Sequence, residues 1–461
     1  MNNDIIRDQE RIAMKKFIRP LSVLCALISM LSFAASAAND DCQSRKTPPS
    51  EVLTLEQVVR LGLCRNPTTA AAYLSAESAR LSKNASYAPY LPSVDVSAST
   101  TKQYRNKNWS DWMTGASLSA SWLIFDFGKR LADLNAMAAV WRATGFDYSN
   151  AVQNYVYEVV AAYYGMLSTD AQVKASEDLV AVAKVAKDTA NKKFTAGAVA
   201  KADVLKADTM LASRELDLQR ARGNREIAKG RILYLLSFAQ ENELKIADMP
   251  ATFGGQAEMK TVGELIEKAK TQRSALLSAL ESKNAAWHRR NAAFLRNLPS
   301  ISASGQLSYD FDNNYDPYGA GPNDKWAGSI GIRASMPIFA GFANVYNVRA
   351  QQANYERASE QARSAEDSVA MDVWSAYQNY ETAQKVLEQT NALLASATES
   401  ERVTSGMYKV GRATMLDWQT QQAELASAQQ QNITARYDLY IKRAALAQAV
   451  GELRESLESG E

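Results

Sequence analysis

Histidine, cysteine and proline are scarce in this chain of 461 residues. The scarcity of histidine and cysteine limits the chemistry that the protein can perform. One histidine and three cysteines leave few side chains for metal binding or nucleophilic catalysis, so we expect no catalytic residue, metal site or cofactor. His288 stands alone in a segment rich in tryptophan and arginine, and we interpret it as a surface residue. The 52 basic and 50 acidic residues balance, so the charge does not indicate nucleic-acid binding.

Long apolar runs are also missing, apart from one near the N-terminus. Basic residues lead into an apolar run from Leu21 to Phe33, and Ala35-Ser36-Ala37 then provides the small residues of a cleavage site. The run is too short to span a bilayer, which takes about 20 apolar residues. We therefore expect residues 1–37 to be a signal peptide, with Met14 as an alternative start, and the mature protein to be exported. A buried N-terminal helix is the competing interpretation.

The cysteines bear on the state of the exported chain. Neither Cys25 nor Cys42 follows a convincing lipidation motif, so we expect no lipid anchor. Cys42 and Cys64 are the thiols that remain after signal removal. Because an oxidising compartment favours the pairing of nearby cysteines, we predict a disulfide between them.

The sequence repeats itself at two fixed offsets. Leu91-Pro92-Ser93 returns as Leu298-Pro299-Ser300, 207 residues later, and Asp203 returns as Asp417, 214 residues later. Several such pairs in the same order indicate a duplicated unit. After the signal peptide over 1–37, the pattern predicts a first repeat over 38–236, a linker over 237–260, a second repeat over 261–455 and a tail over 456–461.

Each half contains two stretches in which apolar and small polar residues alternate. Leu118 and Trp122 share one face of such a stretch, and Ser117 and Ser119 share the other. Strands of about 10 residues with an apolar and a small-polar face are typical of a membrane barrel around water, although a soluble sandwich is the alternative. The pattern predicts two hairpins, one with strands 93–104 and 112–125, the other with strands 301–311 and 326–338.

Four strands per chain cannot close a barrel, because the smallest membrane barrels have about eight. Unpaired strand edges are not tolerated in lipid. We therefore expect several subunits to share one barrel, and three copies related by cyclic symmetry would give twelve strands.

Very long helices follow each hairpin. Apolar or small residues recur at heptad spacing from Leu134 to Met166, and neither glycine nor proline occurs from Phe342 to Ser405. Two helices of roughly 65 residues are predicted, ending near Gly197 and Gly411, followed by return helices of about 35–40 residues. Shorter helices are expected around 54–88 and 261–297. A cytosolic coiled-coil scaffold is the alternative, but it explains neither the strands nor the export signal.

With these features the chain resembles the TolC family of outer-membrane efflux and secretion proteins. The resemblance rests on Asn66-Pro67, Leu91-Pro92-Ser93, Phe125-Asp126-Phe127-Gly128 and the two-fold repeat. It implies a mixed, mainly α fold, in which a trimeric 12-stranded transmembrane β-barrel continues as a long periplasmic α-helical barrel. It further implies contact with outer-membrane lipid in a Gram-negative cell and extension into the periplasm.

The same resemblance implies a passive exit duct and not an enzyme. An inner-membrane pump of ABC or RND type and a periplasmic adaptor would dock at the helical tips, near 194–203 and 408–417. The missing lipid anchor and the stretch Leu63-Cys64-Arg65-Asn66-Pro67 favour type I protein secretion, with multidrug efflux as the alternative.

Three residues near the tips, Asp203, Tyr408 and Asp417, match family positions at the periplasmic entrance. Asp417 matches the first aspartate of the entrance constriction, whereas the second falls on Thr420. Asp203 and Tyr408 match a link that holds neighbouring coils closed. The arginine of that link falls on Ala413, and the adjacent Arg412 is the candidate substitute. The alternative for Asp417 and Arg412 is a solvated charge at a helix end.

Overall fold

The computed structural model describes residues 47–48, 51–102, 104–105, 108–109, 112–247, 261–310 and 326–453. The predicted signal peptide, Cys42, most of the predicted linker and the predicted tail lie outside these residues.

The described residues are mainly helical. The helices are α1 Leu55–Arg65, α2 Pro67–Ala85, α3 Lys129–Thr195, α4 Lys201–Leu235, α5 Val262–Gln272, α6 Ser274–Leu295, α7 Ala343–Lys409 and α8 Met415–Val450. The strands are β1 Ser93–Thr101, β2 Tyr104–Arg105, β3 Asn108–Trp109, β4 Met113–Phe125, β5 Ser300–Asp310 and β6 Trp326–Ser335. Within the described part of the chain, no helix is both long enough and apolar enough to cross a membrane.

The helical range expected around 54–88 is divided by Asn66. Asn66 is extended, with ψ of 123°, because the residue before a proline is disfavoured in helical conformation. Its side chain accepts hydrogen bonds from the backbone N–H groups of Thr68 and Thr69 at 2.9 and 3.1 Å and so begins α2. The range around 261–297 is divided at Arg273, which is extended between α5 and α6 although no proline follows it.

The long helices α3 and α7 have 67 residues each. At 1.5 Å per residue each is about 100 Å long. The return helices α4 and α8 have 35 and 36 residues. We call α3 and α4 with their connecting turn the first helical hairpin, and α7 and α8 with theirs the second. Along α3 the apolar stripe predicted from heptad spacing includes the buried residues Tyr155, Val159 and Met166.

Four strands form an antiparallel sheet in the order β1-β4-β5-β6. One face is apolar; it carries Val94, Val96, Leu118, Trp122, Ile301, Leu307, Ile330 and Ile332. The opposite face carries mainly small polar side chains, and Ser93 and Ser97 of β1 share hydroxyl hydrogen bonds of 2.7 and 2.8 Å with Ser121 and Ser117 of β4. Among the described residues, β1 and β6 each pair on one side only.

The sheet matches the predicted alternation, and its strand ends differ slightly from the predicted ranges. β1 ends at Thr101, whereas the pattern predicted 104, and β6 ends at Ser335, whereas the pattern predicted 338. Pro337 lacks the N–H group that a continuing strand would donate, which accounts for the earlier end of β6.

A tight joint connects β4 to α3 at Asp126 and Arg130. Phe127 and Gly128 adopt left-handed backbone conformations, with φ of 54° and 90°. The Arg130 guanidinium donates to the carbonyls of Leu123 and Ile124 at 2.7 and 3.0 Å, and to the Asp126 carboxylate at 3.2 Å. These bonds fix the angle at which the long helix leaves the sheet. Ala340 and Asn344 stand at the corresponding positions before and within α7.

Candidate entrance at the helix turns

Each helical hairpin has one turn between its helices, and the two turns are similar. After α3, Gly197 has φ of 73°, its N–H donates to the Phe194 carbonyl at 2.9 Å, and Ala198 N–H donates to the Lys193 carbonyl at 2.8 Å. After α7, Gly411 has φ of 77°, and Arg412 N–H donates to the Met407 carbonyl at 2.8 Å. These bonds satisfy carbonyls at the helix ends, and the left-handed conformation favours glycine.

A small buried core holds the two turns together, and we call it the turn cluster. Its members come from all four helices: Ala183, Ala186, Ala190, Ala207, Met210, Tyr408, Met415 and Trp418. Tyr408 and Trp418 are each 2% exposed, and their ring centroids lie 5.2 Å apart. Trp418 Nε1 donates to Glu401 Oε1 at 2.8 Å, which fixes the indole within the second hairpin.

Asp417 is the third residue of α8 and caps its first turn. Its Oδ2 accepts hydrogen bonds from Thr414 N–H at 2.8 Å and Thr414 Oγ1 at 2.7 Å, and its own N–H donates to Thr414 Oγ1 at 3.2 Å. These bonds to Thr414, from its side chain first and its backbone second, lower the pKa of the Asp417 carboxyl. The side chain is exposed, so the carboxylate is charged and accessible at neutral pH. Among the described residues, Thr420 bonds to its own helix, donating to the Leu416 carbonyl at 3.0 Å.

Asp203 and Tyr408 are brought close together, but the chain forms no hydrogen bond between them. The Tyr408 hydroxyl is buried and has no hydrogen-bond partner among the described residues. Burial first, and the charge of Asp203 second, raise the pKa of Tyr408. Asp203 Oδ1 lies 3.9 Å from Lys206 Nζ, and Arg412 is exposed. A latch formed by these residues therefore stays a prediction.

Lys193 is a turn residue that the sequence analysis missed. Its Nζ donates a hydrogen bond to the Tyr408 carbonyl and lies 4.4 Å from the centroid of the Tyr408 ring. The sequence does place Lys193 four residues before Gly197, in the last turn of α3. Nothing in the sequence identifies Tyr408 as the residue that it contacts.

Several apolar side chains at the turns are exposed. Phe194 and Val410 lie beside the two glycines and are 44% and 71% exposed. Leu205 in α4 and Leu416 in α8 are 56% and 54% exposed. The four side chains leave apolar surface around the ends of both hairpins.

Cys64 lies near the end of α1 and is disulfide-bonded. Cys42 lies outside the described residues, so the pairing of these two cysteines stays a prediction. The neighbouring Arg65 donates through Nε to the Leu236 carbonyl at 3.2 Å and lies 4.3 Å from the Phe238 ring centroid. The end of α1 is therefore tied to the segment that follows α4.

Two stretches of the chain, 58–236 and 265–452, match the family model described as outer membrane efflux protein. The chain belongs to this family. The match covers both hairpins and all four strands of the main sheet, and it confirms the family inferred from the sequence. Outer membrane efflux proteins are channels and not enzymes, and the family places this protein in the outer membrane.

The outer membrane efflux protein is similar in sequence to two curated relatives. Protein CyaE of Bordetella pertussis is 23% identical over 420 residues, which cover 90% of this chain and 88% of CyaE. Outer membrane protein TolC of Escherichia coli is 25% identical over 423 residues, which cover 88% of this chain and 84% of TolC. The solved structure of the outer-membrane channel OprN has the same fold, with a TM-score of 0.75 at 20% identity over 91% of this chain and 97% of OprN. TolC-like channels work with adaptor and pump components.

Proposed function

We propose that this protein is the outer-membrane exit duct of a tripartite export system. It receives cargo passively from an inner-membrane pump of ABC or RND type through a periplasmic adaptor. One observation carries the proposal: a sheet with an apolar face and a hydroxyl-bearing face is joined to helices about 100 Å long. The sheet suits a wall between lipid and water, and the helices suit a conduit across the periplasm.

The open edges of the sheet support a homotrimer. β1 and β6 each lack a neighbour on one side among the described residues. In lipid both edges need a partner, because unpaired backbone groups cost several kcal/mol there. Pairing β6 of one copy with β1 of the next supplies that partner. Three copies then form the 12-stranded transmembrane β-barrel predicted from the sequence.

Equal offsets between elements support two structural repeats, over 38–236 and 261–455, with 237–260 as the linker. α3 begins at Lys129 and α7 at Ala343, 214 positions later. Within the sheet, Ser93 pairs with Ser121 and Ser300 pairs with Ser335. The strand pairs β1-β4 and β5-β6 thus share one pairing register, because their paired residues follow the offsets of 207 and 214 found in the sequence.

The turns near Gly197 and Gly411 form the adaptor-docking tips in this proposal. Exposed Phe194 and Val410 supply the apolar surface that a helical partner can cover. Asp417, being charged and exposed, would form a ring of three carboxylates at the periplasmic entrance.

Asp203, Tyr408 and Arg412 are proposed to latch this entrance, since Asp203 is close enough to act on the buried Tyr408. In assembled trimers, Asp203→Ala with Tyr408→Phe should raise channel conductance in planar bilayers and sensitivity to large antibiotics. If conductance and antibiotic sensitivity both stay at wild-type values, the three residues do not latch the entrance and only lie at helix ends.

For the cargo, we propose type I protein secretion. The proposal rests on the lack of a recognisable lipid-anchor motif at Cys25 or Cys42 and on the sequence Leu63-Cys64-Arg65-Asn66-Pro67. Multidrug efflux is the second candidate, and the description of the matching family favours it.

A deletion strain separates these functions. Mass spectrometry of the culture medium should show a polypeptide that disappears on deletion and returns on complementation. Ethidium accumulation should stay unchanged. Increased ethidium accumulation with an unchanged set of secreted proteins would instead establish efflux, and no change in either would contradict the duct.

A further inference from the structure

Lys193 joins the two helical hairpins where they turn. Its side-chain Nζ donates to the backbone carbonyl of Tyr408 in the second hairpin and lies 4.4 Å from the centroid of that ring. Its own carbonyl accepts the N–H of Ala198 at 2.8 Å and so closes the first turn. One residue therefore takes part in the end of the first hairpin and reaches the end of the second.

The acceptor is well suited to a cation. Tyr408 lies in the last turn of α7, where carbonyls lack a full set of intrahelical partners and the helix dipole is negative. An ammonium group over a tyrosine ring gains a further attraction. Because Tyr408 is 2% exposed and packs on Trp418, the acceptor is held in place. Its hydroxyl has no partner among the described residues, so carbonyl and ring make the contact.

A second basic residue repeats the arrangement farther along the hairpins. Arg214 in α4 donates through Nη2 to the carbonyl of Gln422 in α8 at 3.3 Å. In both contacts the first hairpin supplies the cation and the second supplies a backbone oxygen. Such contacts survive changes in the side chain of the acceptor.

We infer that Lys193 is a positioning residue that fastens the two hairpins at their turns and limits how far the entrance opens. The inference rests on the proposed function as a duct. Neither Ala413 nor the exposed Arg412 makes this contact, and nothing in the sequence pattern gives Lys193 a role. Charge and hydrogen bonding at the Lys193 side chain, and not its volume, carry the effect.

The test is single-channel recording of purified trimers in planar bilayers. Lys193→Met keeps an unbranched stem and removes the charge, and Lys193→Arg keeps the charge. Lys193→Met loses the contact of the ammonium group with Tyr408, so its open probability should rise about tenfold. The open probability of Lys193→Arg should stay near that of the wild type. Lys192→Met is the matched control, because Lys192 is exposed and pairs with Asp188 of its own helix at 2.6 Å.

A chemical rescue keeps the test independent of folding. Lys193→Cys trimers are alkylated with bromoethylamine, which rebuilds a lysine-like ammonium, or with iodoacetamide, which leaves the site neutral. The ammonium should restore the closed channel and the amide should not. Equal open probabilities for Lys193→Met and Lys192→Met, or for the two alkylated forms, would overturn the inference. A wild-type protein without channel conductance would overturn the duct itself, which is a separate result.

Discussion

The carboxylate of Asp417 accepts two hydrogen bonds from Thr414 and still faces solvent, so it is available to ions. Three such groups around a symmetry axis would bind a polyvalent cation. Trivalent lanthanum added to the periplasmic side should block single channels of the wild type, and Asp417→Ala should abolish the block. Asp188→Ala, which removes an exposed carboxylate of α3, should leave the block intact. If lanthanum still blocks the Asp417→Ala channel, the constriction lies at other residues.

The lowered pKa of Asp417 gives this block a pH dependence. A carboxyl with a lowered folded-state pKa stays ionised as the pH falls through about 4, the ordinary value for aspartate. The hydrogen bonds of the Asp417 carboxylate with Thr414 stabilise the folded protein in the same pH range. That stability is lost only as the pH falls through the folded-state pKa of Asp417. Thr414→Val removes the side-chain bond, so lanthanum block should disappear at a higher pH than in the wild type. Identical pH profiles of block in the two proteins would contradict this account.

The disulfide of Cys64 makes a further prediction at the residue scale. If Cys42 is its partner, unreduced mature protein denatured in guanidinium should take up no maleimide, and reduction should expose two thiols. Closing a loop of this size stabilises a fold by about 3 kcal/mol, so reduction should lower the thermal midpoint. Free labelling of Cys42 in the unreduced protein would exclude the pair.

At the scale of elements, the turn glycines are the positions most sensitive to a small change. Gly411 has φ of 77°, where a side chain costs about 1–2 kcal/mol, so Gly411→Ala should lower the thermal midpoint of the purified protein. Gly406, within α7, is the matched control, because a Cβ placed there would meet no described atom within 4 Å apart from the adjacent residues and the nearby backbone of its own helix. Gly406→Ala should raise the midpoint, since alanine is favoured over glycine in helices by about 1 kcal/mol. Equal shifts in both variants would refute the argument.

The elements were largely predictable from the sequence, and the contacts at the turns were not. Alternation around Leu118 and the heptad stripe through Val159 depend only on local periodicity, so they located the sheet and the long helices. The break at Arg273 has no proline to announce it. The contact of Lys193 with Tyr408 depends on how two hairpins are rotated against each other, which no local pattern encodes.

At the scale of the whole molecule, stability should depend on assembly. In the described part of the chain, β1 and β6 each lack a neighbour on one side. We therefore expect purified mature protein in detergent to sediment as a trimer, with no folded monomer that retains the full sheet. Analytical ultracentrifugation with circular dichroism measures both. A stable monomer with full β content would contradict the shared barrel.

The serine pairs between β1 and β4 also bear on friction inside a duct lined by that face. Ser93 and Ser97 already share hydrogen bonds with Ser121 and Ser117, so part of the wall's bonding capacity is used within the wall. A polypeptide or drug that passed along this face would therefore meet fewer strong hydrogen-bonding sites. In the proposed duct such a surface would lower friction, so a pump at the far end of the conduit would do little work against adhesion.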